Sequence, residues 1–293
     1  MRFKLIQLLV IVVFISGVLS AQKRPDVTAF VPNKVSVVKD LNYISYQDRK
    51  LYLDLYKPIH NTEKLATLVV IRGGGFRVGD KNGFAPLAAA LANQGFATVC
   101  IEYRTSSEAL YPAPILDTKF AVKWIRDNAQ KYNLNKDAIG VIGASAGAHL
   151  SMMLATSGNV RALNPDDNSE LYKVKASVVL EADADFLTAT DDKNLIDWLG
   201  CTFEANKEKW VQASPITHID VNTPPILFIH GADDPVVAIE QSTASVNKLI
   251  ENDVYCEFIS LPKVGHGFWG SKKWFDFTVK RSSLFFKEQL GVK

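Results

Sequence analysis

Ile142-Gly143-Ala144-Ser145-Ala146-Gly147-Ala148-His149 follows the short apolar run Ala138 to Ile142 and opens a helix-patterned stretch, Ala146 to Thr156. A G-x-S-x-G pentapeptide between strand and helix is a nucleophile elbow, a turn that holds its serine in a strained backbone conformation. The turn lifts the Ser145 hydroxyl out of the carboxyl edge of a sheet. Side chains two residues to either side would collide with strand and helix, so glycine stands at 143 and 147. The helix N-terminus beneath favours the negative charge that develops during acyl transfer. A plain tight turn of small residues would need neither the strand before nor the helix after.

Outward from the elbow the chain alternates. Leu68 to Ile71, Ala97 to Ile101, Val178 to Leu180, Pro225 to Ile229 and Tyr255 to Leu261 are apolar runs of strand length. Runs apolar on both faces suit parallel strands covered by helices. Between them lie helical stripes: Phe84, Leu87, Ala88 and Leu91, ended by Gly95; Val122, Ile125, Ala129 and Tyr132, after Pro114; Ile239 to Asn252; and Trp274 to Leu290. Leu51 to Tyr56 alternates like a half-exposed strand and stops at Pro58. The pattern predicts an α/β fold, a mostly parallel doubly wound sheet with helices on both faces. Two stretches break the alternation. Asn159 to Lys173 is polar and turn-rich, and Asp183 to Asn222 mixes acids with Trp198, Phe203 and Trp210. No D-x-D-x-D-G spacing marks a calcium loop, so the acids read as a solvated face. The aromatics read either as core or as a small insert over the active site.

Ile71-Arg72-Gly73-Gly74-Gly75-Phe76 ends an earlier apolar run about seventy residues before the serine, where an oxyanion loop is expected. The expected donors are the amides of Gly74 or Gly75, together with that of Ala146. No G-K-S/T or G-x-G-x-x-G spacing supports a phosphate cradle. Of five histidines, His266 is the candidate base: Gly265-His266-Gly267-Phe268 lies after the last predicted strand and before the final helix. His149 reads as packed beneath the elbow helix. The acid belongs in His230-Gly231-Ala232-Asp233-Asp234-Pro235, with Asp183 and Asp185 as outside candidates. In this order aspartate orients the imidazole, His266 shuttles the proton, and Ser145 carries the acyl group. The scheme requires no metal and no cofactor.

The remaining 293-residue arithmetic excludes other classes. With 47% hydrophobic and 22% charged residues the composition is globular, and three cysteines do not make a disulfide framework. Met1 to Lys4 is a basic start, Leu5 to Leu19 is nearly continuous apolar sequence, and Ser20-Ala21 precedes polar Gln22-Lys23-Arg24. This reads as a cleaved signal peptide over residues 1–21 rather than a membrane anchor, leaving 22–293 as a single exported domain, periplasmic or secreted. Its loss removes two of the 33 basic residues and no acid, leaving 31 against 31. A neutral chain without basic runs is a poor nucleic-acid binder.

The motifs together resemble the bacterial esterase/lipase group of the α/β-hydrolase superfamily. The resemblance is to the hormone-sensitive-lipase-like branch, and especially to the exported esterases called BD-FAE or acetylxylan-esterase-like. It is carried by Gly73-Gly-Gly-Phe76, Gly79-Asp80-Lys81, Glu102-Tyr103-Arg104, Tyr111-Pro-Ala-Pro114 leading to Asp117, Gly143 to Leu150, His230 to Pro235, and Gly265 to Phe268. It implies an α/β-hydrolase fold and hydrolysis of acetyl or feruloyl esters on plant polysaccharide. It also selects Asp234 over Asp233, so the expected triad is Ser145, Asp234 and His266. Phe76, Trp198 and Trp269 are the expected substrate contacts. Two departures stand out: Arg72 replaces the family's His before the three glycines, and Glu181 to Phe186 lacks the usual small, glycine-containing turn. Amidase or peptidase activity is the alternative reading. A catalytically dead carbohydrate-binding relative would be expected to lose a triad member, and none is lost.

Overall fold

The apolar runs form the middle of one sheet. A computed structural model describes residues 31–292, so the expected signal peptide lies outside the described residues. The strands are β1 (Val35–Ser45), β2 (Lys50–Pro58), β3 (Leu65–Ile71), β4 (Ala97–Ile101), β5 (Leu134–Ala144), β6 (Ala176–Leu180), β7 (Ile226–Gly231) and β8 (Cys256–Leu261). They pair in the order β1-β2-β4-β3-β5-β6-β7-β8, antiparallel at β1–β2 and β2–β4 and parallel everywhere else. Every residue of β3, β4, β6 and β7 is buried, which explains their unbroken apolar sequence.

The helices are α1 (Ala85–Ala92), α2 (Ala113–Asp127), α3 (Ala129–Tyr132), α4 (Ala146–Thr156), α5 (Lys193–Leu199), α6 (Lys207–Ala213), α7 (Glu240–Glu251) and α8 (Lys272–Leu290). Strand side chains alternate between two cores. Val69, Ile71, Val99, Val141 and Val179 join Ile115 of α2, Leu150 of α4 and Leu249 of α7 on one face. Leu68, Val70, Cys100, Ile142 and Val178 join Leu91 of α1 and Phe286 of α8 on the other. Burying each such side chain contributes about 1.5–3 kcal/mol, so both layers are needed to hold the strands parallel. Among the described residues no helix is long and apolar enough to cross a membrane.

Two local readings change. β2 is not half-exposed: Leu53, Asp54, Leu55 and Tyr56 are all buried. Asp54 alternates like a surface residue in sequence, yet its Oδ1 lies 3.3 Å from the buried Lys81 ammonium and accepts the Asp40 N–H at 2.8 Å. β1, which no apolar run announces, covers that edge and is mostly exposed itself. The insert after β6 folds into α5 and α6, capped by Asp192 and Asn206. Trp198 and Trp210 within it are fully buried, so these aromatics are core. Cys100, Cys201 and Cys256 are free thiols, and burial raises the first and last above the usual thiol range.

Candidate active site

Ser145 is the single residue between β5 and α4. Its backbone sits at φ 54° and ψ −126°, a conformation that costs roughly 1–3 kcal/mol. The Ser145 N–H is anchored on the Leu180 carbonyl of β6 at 2.8 Å. A Cβ on Gly143 would stand 2.0 Å from the Gly147 oxygen, and one on Gly147 would stand 2.3 Å from the Ile71 oxygen. The missing side chains therefore let the first turn of α4 rest on the end of β3, beside the glycine loop.

In that loop Gly74 has φ 120°, and a Cβ there would lie 2.0 Å from the Val78 oxygen. The N–H groups of Gly74, Gly75 and Ala146 make no hydrogen bond within the described residues. As the first residue of α4, Ala146 has no acceptor inside its own helix. Arg72, buried below the loop, donates from Nη1 to the Val78 carbonyl at 2.6 Å and to Gly73 at 3.2 Å. Its guanidinium lies 4.1 Å from the Tyr103 ring centroid. Arg72 thus braces the loop and presents no cation to a substrate.

His266 hangs from the loop between β8 and α8. Its Nε2 lies 3.1 Å from Ser145 Oγ, and its Nδ1 lies 2.7 Å from Asp234 Oδ2. The carboxylate keeps the proton on Nδ1, leaving the Nε2 lone pair to accept the serine hydroxyl. Asp234 is held in turn by Val236 and Val237 N–H groups at 2.8 and 3.0 Å on Oδ1. Asp233 is exposed. Asp185 caps Leu187 N–H, and Asp183 gives its carbonyl to His149 Nδ1 at 2.8 Å. Burial pushes His149 down to about 4, so it stays neutral beneath the elbow, stacked on Phe186. His230 is buried between Ser242 and Val237, and His218 donates to Gln212. Only His266 of the described histidines meets Ser145.

One residue was missed. Glu181 Oε2 lies 3.2 Å from His266 Nδ1, beside Asp234. Burial, with Asp234 as an added like charge, pushes its carboxyl up to about 8. The available signal was its place in the stretch that departs from the resembled family. Glu181, Asp234 and His266 bring ligand-type atoms within 4.8 Å of one another. His266 Nδ1, however, carries the proton held by Asp234 and has no lone pair for a cation.

The expected substrate contacts divide. Trp269 is half-buried, its ring 5.7 Å from that of His266. Phe76 and Trp198 are buried. Their rings stack on each other at 4.1 Å, and both meet the His149 ring edge-on.

The family model described as BD-FAE matches residues 53–249. The chain belongs to the BD-FAE family. This chain is 31% identical over 243 residues to a probable carboxylic ester hydrolase, LipM, of Mycobacterium tuberculosis, covering 78% of this chain and 56% of that protein. It is 30% identical to esterase LipC of the same organism, over 71% of this chain and 54% of that one. The chain thus spans about half the length of these curated relatives. Among solved structures, a truncated carbohydrate esterase from gut microbiota superposes with a TM-score of 0.76 at 27% identity, covering 91% of this chain and 98% of that one. The BD-FAE chain therefore has the α/β-hydrolase fold expected of it.

Proposed function

We propose that this chain is an exported serine carboxylesterase that cleaves short acyl esters, acetyl or feruloyl, from plant polysaccharide or oligosaccharide. The observation that carries the reading is the continuous line Ser145 Oγ–His266 Nε2 and His266 Nδ1–Asp234 Oδ2, at 3.1 and 2.7 Å, facing unpartnered loop amides. His266 takes the Ser145 proton as Oγ attacks the ester carbonyl. The oxyanion is met by the N–H groups of Ala146 and of Gly74 or Gly75. His266 then protonates the leaving alcohol, and water repeats the cycle to free the acid. Asp234 stabilises the imidazolium throughout. Likeness to ester hydrolases and to a carbohydrate esterase supports the substrate class. The basic start and apolar run of residues 1–21 support export.

Acetyl is the favoured acyl group in this reading, because Phe76, next to Gly75, is already buried against Trp198. The test is hydrolysis of p-nitrophenyl esters of increasing chain length, then of acetylated xylan against feruloylated arabinoxylan. The acetyl substrates should lead in each set. Ser145→Ala should lower kcat by about 10⁴-fold or more. Equal rates for the two proteins would sink the proposal.

A further inference from the structure

β6 ends at Leu180, and Glu181 turns the chain with φ 57°, in the left-handed region that favours glycine. A glutamate in that conformation, with its carboxyl fully out of solvent, is unfavourable twice over unless the carboxyl is used. It is used from three sides. Oε1 accepts the Gly231 N–H at the end of β7 at 3.1 Å, and Oε2 accepts the Gly267 N–H beside the base at 2.9 Å. Oε2 also lies 3.2 Å from His266 Nδ1. The neighbouring chain is shaped to allow this: a Cβ on Gly231 would stand 2.4 Å from the Val264 oxygen and 3.0 Å from Glu181 Oε1.

We propose that Glu181 is a positioning residue that ties the His266 loop to the end of β7 and accepts the His266 Nδ1–H when Asp234 is removed. The inference rests on the Ser145–His266 reading above. The charged or titratable groups facing Glu181 are Asp234, from the loop after β7, and His266, from the loop after β8. His230 Nε2 stands 3.6 Å behind Asp234 Oδ2. Burial first, and then the like charge of neighbouring Asp234, push the Glu181 carboxyl up to about 8, so at neutral pH Glu181 holds a proton. Removing Asp234 removes the like charge. The Gly231 and Gly267 N–H groups remain on Glu181, the freed His266 Nδ1–H 3.2 Å away becomes a third donor, and all favour its ionised form. The glutamate charges and takes Nδ1. No atom beyond the proton moves.

The experiment compares kcat and KM on p-nitrophenyl acetate for wild type, Asp234→Ala, Glu181→Gln and the double variant, with Ser145→Ala as the floor. Asp234→Ala should keep about tenfold or more of the kcat that the double variant loses, with KM within about twofold. Glu181→Gln alone should lower kcat about three- to tenfold, because its amide cannot accept both backbone N–H groups. Asp234→Asn, which keeps the oxygen bound to Val236 and Val237, replaces Asp234→Ala if the latter melts below the assay temperature. Equal kcat for the single Asp234 variant and the double variant overturns the takeover. Wild-type kcat in Glu181→Gln overturns the tether. A wild type no faster than Ser145→Ala overturns the serine reading, and this inference with it.

Discussion

The two arms of the site are built in different ways. The elbow and glycine loop depend on atoms that are absent: at 143, 147 and 74 an added Cβ would lie 2.0–2.3 Å from a backbone oxygen. The opposite arm depends on side chains that are present. Glu181, Asp234 and His266 come from the loops after three successive strands; His266 and Asp234 share a hydrogen bond, and Glu181 approaches His266 to 3.2 Å while holding the Gly231 and Gly267 N–H groups. The first arm is rigid because backbone cannot yield. The second is adjustable, in the arrangement we propose, because a proton can be redistributed among three groups. The proposed acyl transfer needs both, since oxyanion donors must stand still while a base gains and loses charge.

That contrast can be broken from either side. The largest effect is expected at the elbow, where Gly147→Ala drives a methyl into the carbonyls of Ile71 and Arg72. Ester hydrolysis should fall about 10²-fold, as expected for a small displacement of reacting groups, and the melting temperature should drop with it. Retention of wild-type kcat would show that the elbow has more slack than the packing implies. Arg72→Ala acts one step removed, leaving the Val78 and Gly73 carbonyls without their donor. Here kcat should fall about tenfold with KM nearly unchanged, because the loop donors shift while the substrate surface stays. An unaltered kcat would assign Arg72 to folding alone.

The smallest effect concerns stability and belongs to the carboxyl arm. Burial raises Glu181 from its ordinary 4.5 to about 8, so the folded protein holds a proton that the unfolded chain has released. Stability from this group is therefore full below about pH 4.5 and is lost progressively as pH rises to about 8. Asp183, also raised by burial, acts in the same direction, so the readout is a difference between two proteins. Melting temperature measured from pH 5 to pH 8 should decline more steeply for wild type than for Glu181→Gln. Parallel curves would remove Glu181 from the titration.

The legible parts of the molecule were those written in local sequence. The apolar runs located the parallel strands because residues buried on both faces have no polar alternation to disguise them. The strand-turn-helix context located Ser145, and the glycine-flanked turn after β8 located His266. Asp234 needed more than spacing, since only the family motif separated it from Asp233. Pairing at a distance is what local sequence hides. Asp54 looks solvent-facing until Lys81 reaches it from another segment, and Trp198 looks like a pocket wall until Phe76 stacks on it from more than a hundred residues away.

The sequence alone therefore determined the alternation of strands and helices, the strand-turn-helix at Ser145, the glycine-flanked turn at His266 and the glycine loop, because each follows from sterics or burial over a few consecutive residues. The tertiary structure decided what the lone departures mean. Arg72 became a brace and Glu181 a second carboxyl at His266, the latter by a contact spanning 86 residues to Gly267. Such roles depend on which loops the sheet order brings side by side, and no short window of sequence carries that order.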